Sequence, residues 1–134
     1  MAGFLGDYLC RHLALNAVIA ERVEERIYPV IAQQGCQFPA IIYTILNTEP
    51  IQSHQGFSGL YNFRVQIISF ADGYRAAHEV ADAVLASLDA FQGTQWDGAE
   101  VGAITIEEAG IDGYEEAIKV YGVSQAYTIP VNPA

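Results

Sequence analysis

Three strings in this chain carry the residue types of catalytic or metal-binding sites. His78-Glu79-Val80-Ala81-Asp82 has the form of a metalloprotease helix in which Asp82 replaces the second histidine. Positions i and i+4 put His78 and Asp82 on one helical face. That face lies opposite the apolar one, and no third ligand is indicated, so a solvated helix surface is the expected reading. Gly56-Phe57-Ser58-Gly59-Leu60 approaches the Gly-x-Ser-x-Gly elbow but fails at its last position. It also leads into a strand, whereas the elbow needs a strand-to-helix turn. With His54 nearby it reads as polar surface. The acid pairs Glu107-Glu108 and Glu115-Glu116 have the chemistry of a cation site. Adjacent carboxylates on a strand point to opposite faces, so the first pair cannot chelate together. No glycine-rich phosphate cradle precedes a helix. No catalytic residue, metal or cofactor is therefore expected.

The elements that would position these residues can be read from periodicity. Phe4 to about Arg22 recurs at three- and four-residue spacing and predicts one helix. Ile27 to Ala32 predicts a short strand, and Pro29, which cannot donate a ladder hydrogen bond, puts it at an edge or a bulge. Gln33-Gln34-Gly35 is a turn. Ala40 to Asn47 is a near-continuous apolar strand of central type. Pro50 to Gly59 reads as a long polar loop. Tyr61 to Phe70 alternates cleanly, with Phe63, Val65 and Ile67 on one face and Arg64 and Gln66 on the other. Asp72 is the expected N-cap of a helix to about Asp89, whose apolar face is Ala77, Val80, Ala81, Val84, Leu88 and Phe91. A glycine-rich acidic loop follows, then a strand over Gly102–Glu107, a turn at Asp112-Gly113 and a last strand over Ile118–Val131. Phe63, Val65, Ile67, Val80, Val84 and Leu88 are the expected core. Asp-Gly-Tyr occurs at both 72–74 and 112–114, but the flanking patterns differ, so no repeat is inferred.

The fold class this order predicts is α+β: a mostly antiparallel sheet of four to five strands with two helices packed on one face, in the order α-β-β-β-α-β-β. The 134 residues fit one domain, 1–134, large enough to need no disulfide or metal staple. Cys10 and Cys36 are expected to be free thiols in a reducing cytoplasm. No secretory leader and no membrane span are expected. The net charge is −10, from 16 acids and 6 bases, which argues against binding nucleic acid through its phosphates. The imbalance is local: the segment from Ala76 to Ile118 holds ten carboxylates and no Lys or Arg. Such a surface serves solubility, repels nucleic acid or meets a basic neighbour.

Arg26-Ile27-Tyr28-Pro29, then Phe38-Pro39-Ala40-Ile41-Ile42-Tyr43, then Phe63-Arg64-Val65-Gln66-Ile67 and an Ala-rich helix from Ala71-Asp72-Gly73-Tyr74 stand in a particular order and spacing. From Leu5 to Phe91 that order resembles the bacteriophage tail-completion and tail-terminator proteins, which cap the head-proximal end of a tail tube. The resemblance implies a structural protein that forms a ring, commonly a hexamer, stops tube polymerisation and offers a joining surface to the head–neck connector. It implies as partners further copies of the chain, the major tail tube protein and a neck or head-completion protein, with DNA passing through unbound. It places the protein in the virion tail, and in the host cytoplasm during assembly. A neck or stopper role remains open, as does a different class, a small α+β ligand-binding or enzymatic domain.

For such a role the expected subunit or tube contacts are His54, Gln55, Phe57 and Ser58 in the long loop, and Tyr121 and Tyr127 on the last strand. Glu107, Glu108, Asp112, Glu115 and Glu116 are the expected acidic lining of a lumen or partner surface.

Overall fold

The computed structural model describes residues 2–24, 26–30, 37–53, 56–89, 94–96, 99–102, 104–117 and 119–132. Side chains are described for all of these but 2–7, 51–53, 56–60, 89, 94–96, 99, 100 and 132. The expected turn at residues 33–35, together with Cys36 and Phe91, lies outside the described residues.

The expected N-terminal helix is two helices, α1 (Ala2–Ala14) and α2 (Ala17–Arg22). Asn16 breaks it. Its backbone is extended, and its side-chain oxygen accepts from the Val18 and Ile19 N–H groups at 2.9 and 3.3 Å, which N-caps α2. Its Nδ2 donates to the Ala83 carbonyl of the third helix, so a tertiary bond helps hold the break. That helix, α3 (Tyr74–Asp89), begins one residue later than expected. Ala77 N–H bonds to the Gly73 carbonyl, which makes Gly73 rather than Asp72 the N-cap.

Four strands are long: β2 (Ala40–Ser53), β3 (Gly56–Ala71), β6 (Thr105–Glu115) and β7 (Val120–Asn132). The short β1 (Ile27–Pro29), β4 (Thr94–Trp96) and β5 (Ala99–Val101) complete one sheet in the order β1-β2-β3-β7-β5-β4, with β6 also paired to β7. Pairing is antiparallel except at β1, which runs parallel to β2 on the edge, where Pro29 is tolerated. Arg26 fixes this corner. Its Nε donates to the Pro39 carbonyl and its Nη2 to the Arg22 carbonyl, both at 2.9 Å. The two proline-bearing motifs are thus tied by one guanidinium.

Three expected loops or turns hold strands, the glycine-rich one after α3 carrying β4 and β5. Pro50 to Gly59 is no loop: β2 and β3 pair from Ala40↔Phe70 out to Ser53↔Gly56, with only residues 54 and 55 between them. Pro50 is accommodated because β1 reaches only Tyr43, so the outer side of β2 needs no donor there. Asp112-Gly113 is no turn: both lie in β6, opposite Val123 and Gly122. The register of β6 slips on either side of Glu108, which carries the strand on to Glu115.

All three helices lie on one face of the sheet. Leu9, Leu13, Ile19, Phe63, Val65, Ile67, Val80, Val84, Leu88, Tyr127, Ile129 and Val131 form one buried cluster between the layers. All six expected core residues are in it. The layers are also pinned by polar bonds. His12 Nε2–H donates to the Ser87 carbonyl at 2.9 Å, and Arg22 pairs with Glu79 at 2.8 Å. The fully buried Gln125 donates from Nε2 to the carbonyls of Ala81 on α3 and Ala109 on β6, each at 3.0 Å. The β6 irregularity lies next to the Ala109 carbonyl, so this amide clamps helix and strand together.

Candidate interaction surface

The residues with metal-site spacing do not assemble one. His78 turns to β6, where its Nε2–H donates to Asp112 Oδ1 at 2.8 Å, while Asp82 is exposed. Among the described residues no group of three His, Cys, Asp or Glu is placed to hold an ion. Tyr74 Oη–H donates to the other Asp112 oxygen at 2.7 Å. These hydrogen bonds, that of Tyr74 foremost, hold the Asp112 carboxyl below its ordinary value, and the same bond pushes the Tyr74 phenol up. Tyr121 packs between Tyr74, edge-on at 5.7 Å, and Tyr114 at 4.9 Å. The two Asp-Gly-Tyr tripeptides therefore meet at this end of the molecule, joining the start of α3 to β6 and β7.

Of the expected contact residues, Tyr121 is half-buried in this cluster. Tyr127 is a correction: it is fully buried in the core, because it shares the strand face of Val123 and Ile129. His54 and Gln55 lie outside the described residues. Phe57 and Ser58 are in β3, and their side chains lie outside the described ones. Glu107, Glu108, Asp112 and Glu115 are exposed along β6, with Glu116 in the turn after it. Glu107 is not a free carboxylate. It pairs with Arg64 Nε at 3.0 Å and accepts from Thr128 Oγ1 at 2.8 Å across the face of the sheet that carries no helix.

That open face holds a feature the sequence reading missed. Ile68 and Phe70 of β3 and Ile111 of β6 flank a groove of about 270 Å³ beside Gly113 and Gly122, with Glu115 on its border. The two glycines are cross-strand partners. Reading Asp112-Gly113 as a turn hid that pairing. The signal that would have found it is alternation: Ile111, Gly113 and Glu115 share one parity and belong on one face. At the far end, β2 is exposed at five consecutive positions from Leu46 to Pro50, and beyond Tyr61, where the pairing with β7 ends, β2 and β3 pair only with each other. Among the described residues no helix is long and apolar enough to cross a membrane.

Comparison with known proteins accounts for a site made of surfaces and no chemistry. The sequence profile of the family described as Tail completion protein gp17 matches residues 7–129. A search of curated proteins gives no match. Among solved structures, a chain from the "Virion of native gene transfer agent (GTA) particle" superposes with a TM-score of 0.74 at 17% identity, over 97% of this chain and 96% of that one. At that identity the likeness is one of fold. The family match spans nearly the whole chain. A tail-completion protein is a structural part of the virion tail that assembles with other virion proteins and is not an enzyme, and this chain belongs to the Tail completion protein gp17 family.

Proposed function

We propose that the chain acts as a single domain in a ring, a hexamer, on the head-proximal end of the tail tube. There it stops tube polymerisation and presents the joining surface for the head–neck connector. The observation that carries this reading is the β2–β3 arm. Its strands have 14 and 16 residues, about 45–50 Å at the usual rise, where ordinary strands have five or six residues. From Leu46 to Pro50, β2 is exposed at every position. An arm that runs past the last β7 pairing is suited to reaching a neighbouring subunit or the tube, with His54, Gln55, Phe57 and Ser58 as its contacts. A net charge of −10 suits a channel that lets DNA pass without holding it.

The test is an arm-shortened variant in which an Asn-Gly turn replaces residues 51–60, joining the paired residues Pro50 and Tyr61. The purified subunit is expected to keep its fold by circular dichroism. Native mass measurement should show loss of the ring, and electron microscopy should show tails of uncontrolled length. Wild-type rings and wild-type tail lengths from the shortened chain would reduce the arm to a connector and remove the support for this reading.

A further inference from the structure

The open-face groove has the attributes of a docking site for another protein. Ile111 on its rim is 53% exposed, and Phe70 is half-buried beside it. Its floor is open at Gly113, which is exposed, while its cross-strand partner Gly122 is covered by the Phe70 ring. The outer edge of β6 carries no further strand among the described residues, so an extended chain has backbone groups to meet there.

The charges beside the groove select the occupant. Glu108, Glu115 and Glu116 are exposed, and among the described residues they join no ion pair. A second copy of this chain is a poor complement. Of its six cations, Arg22, Arg26 and Arg64 are engaged with Glu79, Glu24 and Glu107. Arg11, Arg75 and Lys119 are exposed, but three cations do not balance the surplus of acids. Nucleic acid has the wrong sign. A wall that only repels passing DNA needs carboxylates, but it does not need an apolar recess between Phe70 and Ile111.

We propose that this groove docks an extended, basic segment of a different virion protein. One apolar side chain seats against Phe70 and Ile111 above the glycine floor, and a flanking Lys or Arg meets Glu115 and Glu116. The proposal rests on the chain being a tail component and is independent of how many copies form the ring.

The experiment places the photo-crosslinking residue p-benzoylphenylalanine at the exposed Ile111 and irradiates assembled particles. Mass spectrometry is expected to identify an attached peptide that contains at least two Lys or Arg and comes from a protein other than this one. Attachment to a second copy, attachment to DNA alone, or no attachment would overturn the proposal. Gly113→Val tests the recess itself. Its new Cβ would meet nothing nearer than the Gly122 carbonyl oxygen at 3.9 Å, and Gly113 is outside the left-handed region, so the subunit should fold and melt as wild type. Its incorporation into particles should fall about tenfold or more, as when an interface anchor is lost, and Glu115→Lys should act the same way. Wild-type incorporation of both variants would overturn the proposal as surely as the wrong cross-link. Ring mass measured on wild-type protein separates the two readings: a chain that forms no ring but gives the expected cross-link fails the ring reading alone.

Discussion

The two faces of the one sheet are built by different rules. On the helix-covered face, β3 presents Phe63, Val65, Ile67 and Ser69, and β7 presents Val123, Gln125, Tyr127 and Ile129, all buried. On the open face the alternate positions are Arg64, Gln66, Ile68 and Phe70 on β3, and Gly122, Ser124, Ala126 and Thr128 on β7. The strands are the same, so strand propensity cannot explain the contrast. What lies above each face does. A face closed within one chain is governed by volume, and large side chains interdigitate there at interior density. The open face has small residues at its centre, apolar walls and carboxylates at its margin. That is the composition of a surface meant to be covered by something else.

The strongest test of the contrast is a pair of phenylalanines. Phe63→Ala should cost about 3–5 kcal/mol in denaturant unfolding, the range for a fully buried aromatic. Phe70→Ala, seven residues along the same strand but on the open face, should cost clearly less, because its ring is only half-buried. Equal losses would mean that the open face is core after all and that the proposed groove is part of the subunit's own packing.

A second comparison uses the glycine pair. A Cβ on Gly122 would lie 3.0 and 3.2 Å from two ring carbons of Phe70 and 3.4 Å from Ile68 Cγ2. Gly122→Ala should therefore destabilise by about 1–3 kcal/mol through overpacking. Adding Phe70→Leu should recover part of that loss, because the crowding atom is removed. Gly113→Val should leave stability within about 0.5 kcal/mol, as surface changes do. If Gly122→Ala proves neutral, the Phe70 ring has room to move and does not form a fixed wall.

The covered face was legible in the sequence, and the open face was not. Alternation along Tyr61–Phe70 and the helical stripe from Ala77 to Leu88 gave the register of the core directly, because both are local patterns. The errors share a cause. Asn16 breaks the N-terminal helix partly through a bond to Ala83, and Pro50–Gly59 is drawn into a ladder by β3. Asp112-Gly113 is drawn into a ladder by β7. At Asn16 a helical pattern, and in the two strand cases a turn-like composition, was overridden by pairing or a tertiary bond that local pattern does not show. The assignment of Tyr127 to a surface was avoidable, since its parity matches that of Val123 and Ile129. The groove was legible only in part: parity puts Ile111, Gly113 and Glu115 on one face, but which glycine faces which depends on a register that slips twice along β6.

The smallest expected effect lies where the helix layer meets the strand that borders the groove. Asp112 accepts hydrogen bonds from Tyr74 and His78, and its folded-state value is held below the ordinary 3.8. A depressed carboxyl contributes stability above its unfolded value and loses it as pH falls through the folded one. Tyr74 is displaced the other way, above its ordinary 10.0, so its contribution is present below that value and is lost as pH rises through the folded one. The link between α3 and β6 is therefore intact across neutral pH and fails at both ends. Asp112→Asn should lower Tm slightly at pH 7, and the gap should close as pH falls below the ordinary carboxyl value and through the depressed folded-state one, where the wild-type carboxyl also becomes neutral. It should shrink in concentrated salt as well, because both groups face solvent. A gap that stays constant from pH 7 to pH 2 would show that Asp112 acts through shape alone. Tyr114 and Asp112 would then be positioned by the β6–β7 ladder, with no help from the helix layer.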